Sequence, residues 1–390
     1  MKAAQLNFPD IDFAYDALPD LHDYLDKLRE KGAVVPVQYW NKPAWLITRF
    51  DELKQAFTDE EHFEAAASYN EIALPSMGKT MQNMVGEEHR INRGLVSGAF
   101  FPAQVRGLAE SLVIPVAEEL LDKIQGKEQV DLVKEFIRPY PFTVISRMLG
   151  LPVNDQDKML EWAVKLIDYP WDPEGALKAK QDFSDYLKPL VDARRGGAGE
   201  DLLTLVANAE YEGKHLDDEA VFSFVRMLFP AGSDTTFLVG GSMFAAVMAD
   251  PMLRALTQAG DKEREGIVQE AIRMSSPTAL LPRVCSKDTE LGGVSLKAGE
   301  RVLFGIICAN SDSRVFPDPH TFDHTRTTKS LAFGNGQHFC VGSNLARLEL
   351  REALRLVFQR FPNITFTDKK PQITGAVLRG PREFMVNLNG

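Results

Sequence analysis

A glycine-rich loop at residues 333–342 carries Cys340, one of three cysteines in the chain. Gly336 precedes the cysteine by four residues and Gly342 follows it by two, so the backbone can pass close to a flat, bulky group. Freed backbone N–H groups can point at the sulfur, and the helix expected after the loop adds its positive end. His338 can donate to an anionic group on the same ligand. A lone cysteine is more often a buried thiol in a turn, but this spacing favours a thiolate that binds a metal-containing group.

The loop has the pattern Phe-x-x-Gly-x-His-x-Cys-x-Gly, which resembles the haem-binding signature of the cytochrome P450 superfamily, in particular its short, soluble bacterial members. The resemblance implies that Cys340 is the proximal ligand of the iron in haem b (iron protoporphyrin IX). It also implies that Phe333, Gly336, His338 and Gly342 help to bind this cofactor. Electron donation from the thiolate favours cleavage of the O–O bond. Further motifs follow in the family's order along nearly the whole chain.

A second group of candidate residues, 231–236, falls in the middle of the longest predicted helix. Taken alone, its Asp-Thr pair is also a common cap between two helices. The segment is similar to the family's oxygen-activation motif, which makes Asp234 the acid and Thr235 the hydroxyl of a proton relay. By the same resemblance, Gly232 makes room for dioxygen and Ala231 lies against the haem. Cleaving dioxygen needs two protons in an otherwise dry site, and an acid with a hydroxyl can deliver them.

Charged pairs at helical spacing complete this constellation. Glu270 and Arg273 are three residues apart, and His89 and Arg93 are four apart. Each pair alone is typical of an exposed helix face and contributes a few tenths of a kcal/mol. The resemblance makes Glu270 and Arg273 the family's structural Glu-x-x-Arg pair. It also implies that His89, Arg93 and Arg283 bind the haem propionates, since buried carboxylates must be paired.

Two positions depart from the family pattern. Thr321 stands where many relatives carry an arginine that completes a network with the Glu-x-x-Arg pair. His320 and Arg326 are both candidates to replace it, and the sequence does not decide between them. Pro230 precedes the oxygen-activation motif where an aliphatic residue is more usual, and it is expected to sharpen a kink there.

The elements that position these residues are predicted to be mainly helical (α+β), with small peripheral sheets. The resemblance implies the cytochrome P450 fold, with a long central helix over the haem. We expect a single domain, residues 1–390, with a β-richer part at about 1–85, a helical core at about 86–277 and a mixed C-terminal part that contains the loop 333–342.

Local signals predict individual elements. The longest helix is expected to run from Asp217 to Asp250, because Pro251 stops it, and to be distorted near residues 230–232. Asp51 is expected to cap an earlier helix. Strands are predicted from short apolar runs at 33–37, 44–48, 289–296 and 301–307. The first two are expected to form a hairpin, with residues 40–43 between them.

Composition limits the protein class. The chain has 44% hydrophobic residues and a net charge of -11, which is typical of a folded protein that binds neither nucleic acid nor anionic membranes. Three cysteines without a CxxC pair indicate a reducing compartment. The N-terminal start lacks the apolar stretch of a signal peptide, and no window has the ~18 apolar residues of a spanning helix. We therefore expect a cytoplasmic protein without a membrane anchor.

The substrate is expected to be a hydrophobic small molecule, such as a terpenoid, steroid, fatty acid or aromatic compound. The candidate pocket residues are mostly apolar, and each is equally compatible with an ordinary place in the core: Leu74, Met77, Met81, Leu228, Ala231, Leu280 and Phe384. Arg379 is a candidate to bind a substrate carboxylate.

Electrons are expected from a ferredoxin or flavodoxin with its reductase, because the chain has no reductase segment. Arg347, Arg351 and Arg355 recur every four residues on the helix after the cysteine loop. This stripe is either a solvated face balanced by Glu349 and Glu352, or a docking patch for an acidic electron donor. The protein is expected to act as a monomer.

Three functions remain in competition. The leading hypothesis is a monooxygenase that hydroxylates an unactivated C–H bond with O2. The second is a peroxide-dependent or rearranging haem-thiolate enzyme, and the third is a non-catalytic haem sensor. Asp234 and Thr235 favour the first, because neither alternative requires proton delivery to dioxygen.

Overall fold

The computed structural model describes residues 11–152, 156–211 and 213–389. Residues 1–10, where part of the signal-peptide prediction falls, lie outside the described residues. The chain is about 52% helical, which confirms the mainly helical prediction. The α-helices are α1 (Leu21–Lys31), α2 (Phe50–Ala56), α3 (Ala65–Ile72), α4 (Leu74–Met77), α5 (Gly86–Ser97), α6 (Pro102–Leu108), α7 (Ile114–Ile124), α8 (Pro139–Leu149), α9 (Gln156–Ile167), α10 (Pro173–Asp192), α11 (Leu202–Ala207), α12 (Asp218–Ala249), α13 (Pro251–Leu256), α14 (Asp261–Met274), α15 (Ile306–Ala309) and α16 (Ser343–Arg360).

The strands are short and lie in separate small sheets. They are β1 (Val34–Tyr39), β2 (Lys42–Ile47), β3 (Gln129–Asp131), β4 (Glu210–Tyr211), β5 (Lys214–His215), β6 (Leu280–Val284), β7 (Thr289–Leu291), β8 (Val294–Leu296), β9 (Arg301–Gly305), β10 (Thr365–Phe366), β11 (Ile373–Thr374), β12 (Gly380–Pro381) and β13 (Met385–Asn387). A 3-10 segment covers Gly98–Phe100, and π-helical turns cover Ala109–Val113 and Val133–Ile137.

One sheet joins N-terminal and C-terminal parts of the chain in the order β1-β2-β9-β6. Strands β1 and β2 form the predicted hairpin, and its turn residues Trp40 and Asn41 have φ of 56° and 54°. The carboxylate of Asp12 accepts the N–H groups of both turn residues, at 3.0 and 2.5 Å. Strand β2 runs parallel to β9, which pairs antiparallel with β6. This arrangement brings the hairpin turn and β6 to the same side of the molecule as the candidate site.

Two predicted element boundaries are wrong. Helix α2 begins at Phe50, so Asp51 lies in its first turn, and the N–H of Phe50 is accepted by Asp312 Oδ2 at 3.1 Å. The predicted strand 301–307 ends at Gly305, and its last two residues start α15. A Cβ at Gly305 would lie 2.3 Å from the carbonyl oxygen of Ile47, so the close approach to β2 requires glycine there.

Helix α12 is the central element and confirms the predicted long helix. The side chain of Asp217 caps it by accepting the N–H of Ala220 at 2.8 Å, and Pro251 begins the next helix. Although Pro230 removes one backbone donor, the helix continues through residues 230–232 instead of dividing there. Neighbouring helices α8, α9, α10, α14 and α16 pack around it.

The largest hydrophobic cluster includes residues from Ala73 to Leu388 and encloses α12. Apolar residues occur all round this helix, which is typical of a helix buried on every side. Among the described residues, none of the helices combines the length and apolar character needed to cross a membrane.

Candidate active site

The cysteine loop is held in one conformation by its own backbone. The N–H of Cys340 donates to the carbonyl of Phe333 at 2.9 Å. Gly336 has φ of +79°, and a Cβ there would lie 2.8 Å from the carbonyl oxygen of Phe57. Glycine is therefore required at this position. Gly342 has neither a positive φ nor an atom close to the position of a Cβ, and it is the residue directly before α16.

The sulfur of Cys340 faces a cavity of about 260 Å³, which we call the cysteine cavity. Burial raises the pKa of this thiol, while the backbone N–H groups of Gly342 and Ser343 and the guanidinium of Arg93 act in the opposite direction. Of the three cysteines, Cys340 alone lines this cavity, since Cys285 and Cys308 are buried elsewhere and their thiols donate to backbone carbonyls. A thiolate at this position could bind a metal.

Helix α12 also lines the cysteine cavity. Ala231 and Thr235, one helical turn apart, both line it. The Thr235 hydroxyl donates to the carbonyl of Ala231 at 3.0 Å. A Cβ at Gly232 would meet Ile145 Cγ1 at 2.9 Å, so this glycine permits close packing of α12 against α8. Gly232 is not among the residues that line the cysteine cavity, and its role beside dioxygen stays a prediction.

Asp234 is the buried acid of the site. It is 4% exposed, and its Oδ1 atom has no hydrogen-bond partner. Burial raises the pKa of the Asp234 carboxyl to about 6, against the opposing effect of Arg138 and Arg382. An acid with such a pKa can both hold and release a proton near neutrality.

Asp234 lines a second cavity of about 180 Å³, together with Ala231, Thr235, Trp40 and Trp171. We call this space the aromatic cavity. Ala231 and Thr235 line both cavities, so the aromatic cavity adjoins the cysteine cavity at these residues, whereas Asp234 lines the aromatic cavity.

Four donor side chains gather at the edge of the cysteine cavity: His89, Arg93, Arg283 and His338. The two imidazole rings are 4.3 Å apart, and the Nε2 atoms of both are buried without a hydrogen-bond partner. Burial, followed by His89 and the two arginines, lowers the pKa of His338 to about 3. Arg283 lies over the rings of Tyr69 and Phe304, at 5.2 and 5.4 Å.

This donor cluster fits the two propionates of a haem. The carboxylate nearest to it in the described residues is Glu60, whose Oε2 lies 3.8 Å from His338 Nε2. A buried hydrogen-bond donor without an acceptor destabilises the fold unless a bound ligand supplies the acceptor. The cluster, the cysteine thiol and the wide cavity between them thus match the shape and charge of a haem.

The Glu270–Arg273 pair is buried, with both side chains 2% exposed. Arg273 binds both carboxylate oxygens of Glu270, at 2.8 and 2.7 Å, and also donates to the carbonyls of Asn310 and Pro319. Arg326 Nε donates to Glu270 Oε1 at 3.1 Å. The structure therefore answers the question raised by Thr321, because Arg326 completes the network while His320 pairs with Asp26 near the surface.

We expect Arg326→Ala to lower the free energy of unfolding by about 1–3 kcal/mol, because a nearly fully buried carboxylate loses a charge-assisted hydrogen bond. Urea unfolding, with haem absorbance as a second signal, measures the effect. The matched control is His320→Ala, which removes a half-exposed ion pair and should cost at most about 1 kcal/mol. Equal losses in the two variants would contradict the assignment of Arg326.

The predicted substrate residues divide into two groups. Met77, Met81, Leu228 and Ala231 line one or both cavities. Three others do not: Leu74 is partly exposed on α4, Leu280 is fully buried, and Phe384 stacks on Phe366 in the core.

The prediction that Leu280 of β6 lines the pocket is wrong for a simple geometric reason. Successive side chains of a strand point to opposite faces, so Leu281 lines the cavities and Leu280 does not. The carboxylate role considered for Arg379 is also wrong. Its guanidinium is buried and donates to the carbonyls of Leu18, Pro19 and Gly375.

Sequence reasoning missed the aromatic residues of the second cavity: Tyr39, Trp40, Tyr69 and Trp171. Trp40 lies at the hairpin turn and Trp171 follows α9, yet their ring centres are 5.8 Å apart. The predicted hairpin with a tryptophan at its tip was the only local signal, because nothing in the sequence connects positions so distant.

The arginine stripe on α16 is not a row of free charges. Arg351 and Arg355 both bind Glu352, at 3.0 and 2.8 Å, and Arg347 lies over the ring of Phe333. Glu349 does not balance the stripe, because it is buried and its pKa is raised well above the ordinary value by that burial. The basic stripe is consequently partly neutralised by its own helix.

Comparison with known proteins agrees with this geometry. The family model described as Cytochrome P450 matches residues 265–388. The chain is 33% identical over 364 residues to cytochrome P450 107B1 of Saccharopolyspora erythraea, covering 88% of each chain. It is 30% identical over 386 residues to 6-deoxyerythronolide B hydroxylase of the same organism, covering 93% of this chain and 95% of the relative.

A solved structure gives the same result for the fold. The cytochrome P450 enzyme CxnD, described as acting in C–S bond formation in chuangxinmycin biosynthesis, superimposes with a TM-score of 0.88 at 26% identity. The alignment covers 97% of this chain and 96% of the other. The fold is therefore shared across nearly the whole length of the chain.

Proposed function

This chain belongs to the cytochrome P450 family of monooxygenases, and we propose that it uses dioxygen and electrons from a separate protein to hydroxylate a neutral hydrophobic small molecule. The observation that carries the proposal is that Cys340 and Thr235, which are far apart in the sequence, both line one cavity. The thiolate that would bind the metal and the hydroxyl that would donate a proton thereby line the same cavity. We further infer that residues 1–390 work as one domain.

We assign haem b as the cofactor. Cys340 would bind its iron, and His89, Arg93, Arg283 and His338 would bind its propionates. The haem supplies the redox chemistry that activates dioxygen. The chain's own contribution is to fix the sulfur and pair the propionates, while the surrounding apolar residues exclude water.

Asp234 and Thr235 would supply the protons. The carboxyl of Asp234 holds a proton at a buried position beside the aromatic cavity. The Thr235 hydroxyl, now bonded to the carbonyl of Ala231, lies on the same wall and can accept and donate in turn. This arrangement supports a dioxygen-dependent enzyme over a peroxide-dependent or rearranging one, and over a sensor.

The cavity lining supports a neutral substrate. Among the described residues that line the aromatic cavity, Asp234 is the only charged side chain. No basic group is therefore placed there to hold a carboxylate, which favours a terpenoid, steroid or aromatic compound over a fatty acid. Two tryptophans and flexible Met77 and Met227 offer large apolar contacts that can adapt to the ligand.

A ferredoxin or flavodoxin with its reductase would supply electrons. The surface behind Cys340 carries a shallow cleft lined by Arg106, Arg347 and Arg351, and Phe101 is 59% exposed nearby in sequence. An acidic partner with an apolar centre would fit this surface.

A panel of neutral and acidic hydrophobic compounds tests the function. We expect neutral compounds to change the ferric haem spectrum when they bind. We expect the same compounds to gain one oxygen atom when a surrogate ferredoxin, its reductase and NADPH are added under O2. Turnover with hydrogen peroxide but none with O2 and electrons would favour the peroxide-dependent alternative. Spectral binding without any product would favour the sensor.

A further inference from the structure

Two residues that line the aromatic cavity carry buried hydrogen-bond donors without an acceptor. These residues are Tyr39, which is 1% exposed, and Trp40. In the described part of the chain, neither the Tyr39 hydroxyl nor the Trp40 Nε1 atom has a hydrogen-bond partner, although both atoms are buried. Such donors destabilise the fold unless a bound molecule supplies the acceptor. The pair therefore indicates that a polar atom of a ligand is bound in this cavity.

The turn between β1 and β2 brings the two donors together. Successive side chains of a strand normally point to opposite faces, but Trp40 follows the last residue of β1 and has φ of 56°. The rings of Tyr39 and Trp40 consequently lie against each other, with centres 4.5 Å apart and planes at 38°. The carboxylate of Asp12 holds the turn by accepting the backbone N–H of Trp40 at 3.0 Å. The donors are thus held in place before a ligand binds.

The second tryptophan of the cavity differs from Trp40 in this respect. The indole N–H of Trp171 donates to the carbonyl of Ala14 at 3.1 Å, so Trp171 contacts a ligand through its ring alone. Its ring centre lies 5.8 Å from that of Trp40, in an edge-to-face arrangement. Both tryptophans offer aromatic surface to a ligand, and Trp40 has an N–H left to donate.

The charges around this pair of donors favour a neutral acceptor. The guanidinium of Arg301 lies 5.0 Å from the ring centre of Trp40, but it is paired with Glu71 at 2.6 Å. The carboxylate of Asp12 lies at the same turn, so one cation is opposed by two carboxylates. Burial raises the pKa of Tyr39, and its hydroxyl therefore stays protonated and able to donate. A carboxylate of a ligand would gain no net attraction here.

The two donors lie away from the cysteine cavity. Tyr39 and Trp40 line the aromatic cavity and not the cysteine cavity, whereas Cys340 lines the cysteine cavity alone. Thr235 lines both. A substrate that spans the two cavities would therefore have its polar end at the donors and another part beside Thr235.

We propose that Tyr39 and Trp40 are specificity-determining residues that bind a carbonyl oxygen of the substrate through the tyrosine hydroxyl and the indole N–H. A carbonyl oxygen has two lone pairs and can accept both hydrogen bonds. The substrate is thus a neutral, largely hydrophobic carbonyl compound, and its oxidised carbon lies at the end remote from this carbonyl. The proposal rests on the proposed function, since it names the polar group of the substrate that this function leaves open.

Two ligands of matched shape test the proposal in the haem-loaded enzyme. One is a naphthyl methyl ketone, and the other is the hydrocarbon in which a methylene group replaces the carbonyl oxygen. Infrared difference spectroscopy with an isotope-labelled carbonyl measures the stretch of the bound ketone. We expect this stretch to lie at lower frequency in the native enzyme than in Tyr39→Phe, because the variant lacks the hydroxyl donor. Calorimetric titration should show that Tyr39→Phe weakens ketone binding about three- to tenfold and leaves hydrocarbon binding unchanged.

Three further variants complete the experiment. Trp40→Phe removes the indole N–H but keeps an aromatic ring, and it should shift the stretch in the same direction as Tyr39→Phe. The matched control is Tyr140→Phe, since the hydroxyl of Tyr140 is likewise buried without a partner in the described residues, yet Tyr140 lines neither cavity. This control should change neither the stretch nor the affinity. Trp171→Phe should weaken the binding of ketone and hydrocarbon alike, because the ligand loses ring contacts and no hydrogen bond.

Three outcomes would overturn the proposal. The first is a carbonyl stretch that is the same in the native enzyme, Tyr39→Phe and Trp40→Phe, which would mean that water alone satisfies the donors. The second is an equal loss of affinity for ketone and hydrocarbon in these two variants. The third is a native enzyme that does not bind the ketone. If the ketone were bound through Tyr39 but never oxidised, the proposed function would fail while the assignment of Tyr39 and Trp40 would stand.

Discussion

Cys340→Ser is expected to abolish product formation and the long-wavelength absorption band of the reduced carbon monoxide complex. That band requires a thiolate bound to the iron, and a serine oxygen is a weaker electron donor to iron. The loop itself should persist, because its conformation depends on the Cys340 N–H bond to Phe333 and on Gly336, and neither involves the sulfur. Haem can thus remain in the cavity with an altered spectrum, and absorbance spectroscopy distinguishes this from loss of the cofactor.

Cys285→Ser is the matched control for that experiment. Cys285 is fully buried, and its thiol donates to the carbonyl of Lys287, a bond that a serine hydroxyl can also make. The control should keep the native carbon monoxide spectrum and most of the activity. A native spectrum in Cys340→Ser, or its loss in Cys285→Ser, would show that the iron ligand has been assigned wrongly.

Signals that act within a few residues predicted the fold and the site well. The long helix has an aspartate cap at Asp217 and a proline stop at Pro251, and both operate as expected. The glycines around Cys340 indicated a loop with positive φ, and Gly336 has it. Such features are encoded by backbone sterics and local hydrogen bonds, so they can be recognised without knowledge of tertiary contacts.

Predictions failed where a distant residue decides the outcome. Asp312 takes the capping role expected of Asp51 and accepts the N–H of Phe50, which lies 262 residues earlier in the chain. Arg326 rather than His320 completes the network because the loop after α15 places its guanidinium against Glu270. In each case several residues of the sequence could make the required hydrogen bond, and tertiary packing determines which of them makes it.

The proton relay leads to the second large expected effect. Thr235→Ala should leave electron consumption nearly intact while most of it ends as hydrogen peroxide, because the hydroxyl that faces the cysteine cavity is lost. Thr235→Ser keeps a hydroxyl and should retain most of the coupling between electrons and product. Parallel measurement of NADPH, peroxide and product gives the coupling directly. Equal coupling in the alanine and serine variants would contradict the role of Thr235.

Asp234→Asn should slow product formation by about 10²-fold or more, since an amide cannot pass on a proton. The pH dependence gives a sharper test. Burial raises the pKa of Asp234 to about 6, so the carboxyl is largely protonated below this pH and loses its proton as the pH rises through it. Proton-limited turnover of the native enzyme should therefore decline above about pH 6, and this decline should be absent in Asp234→Asn. A decline of the same shape in both enzymes would assign the titration to another group and leave Asp234 without a part in proton delivery.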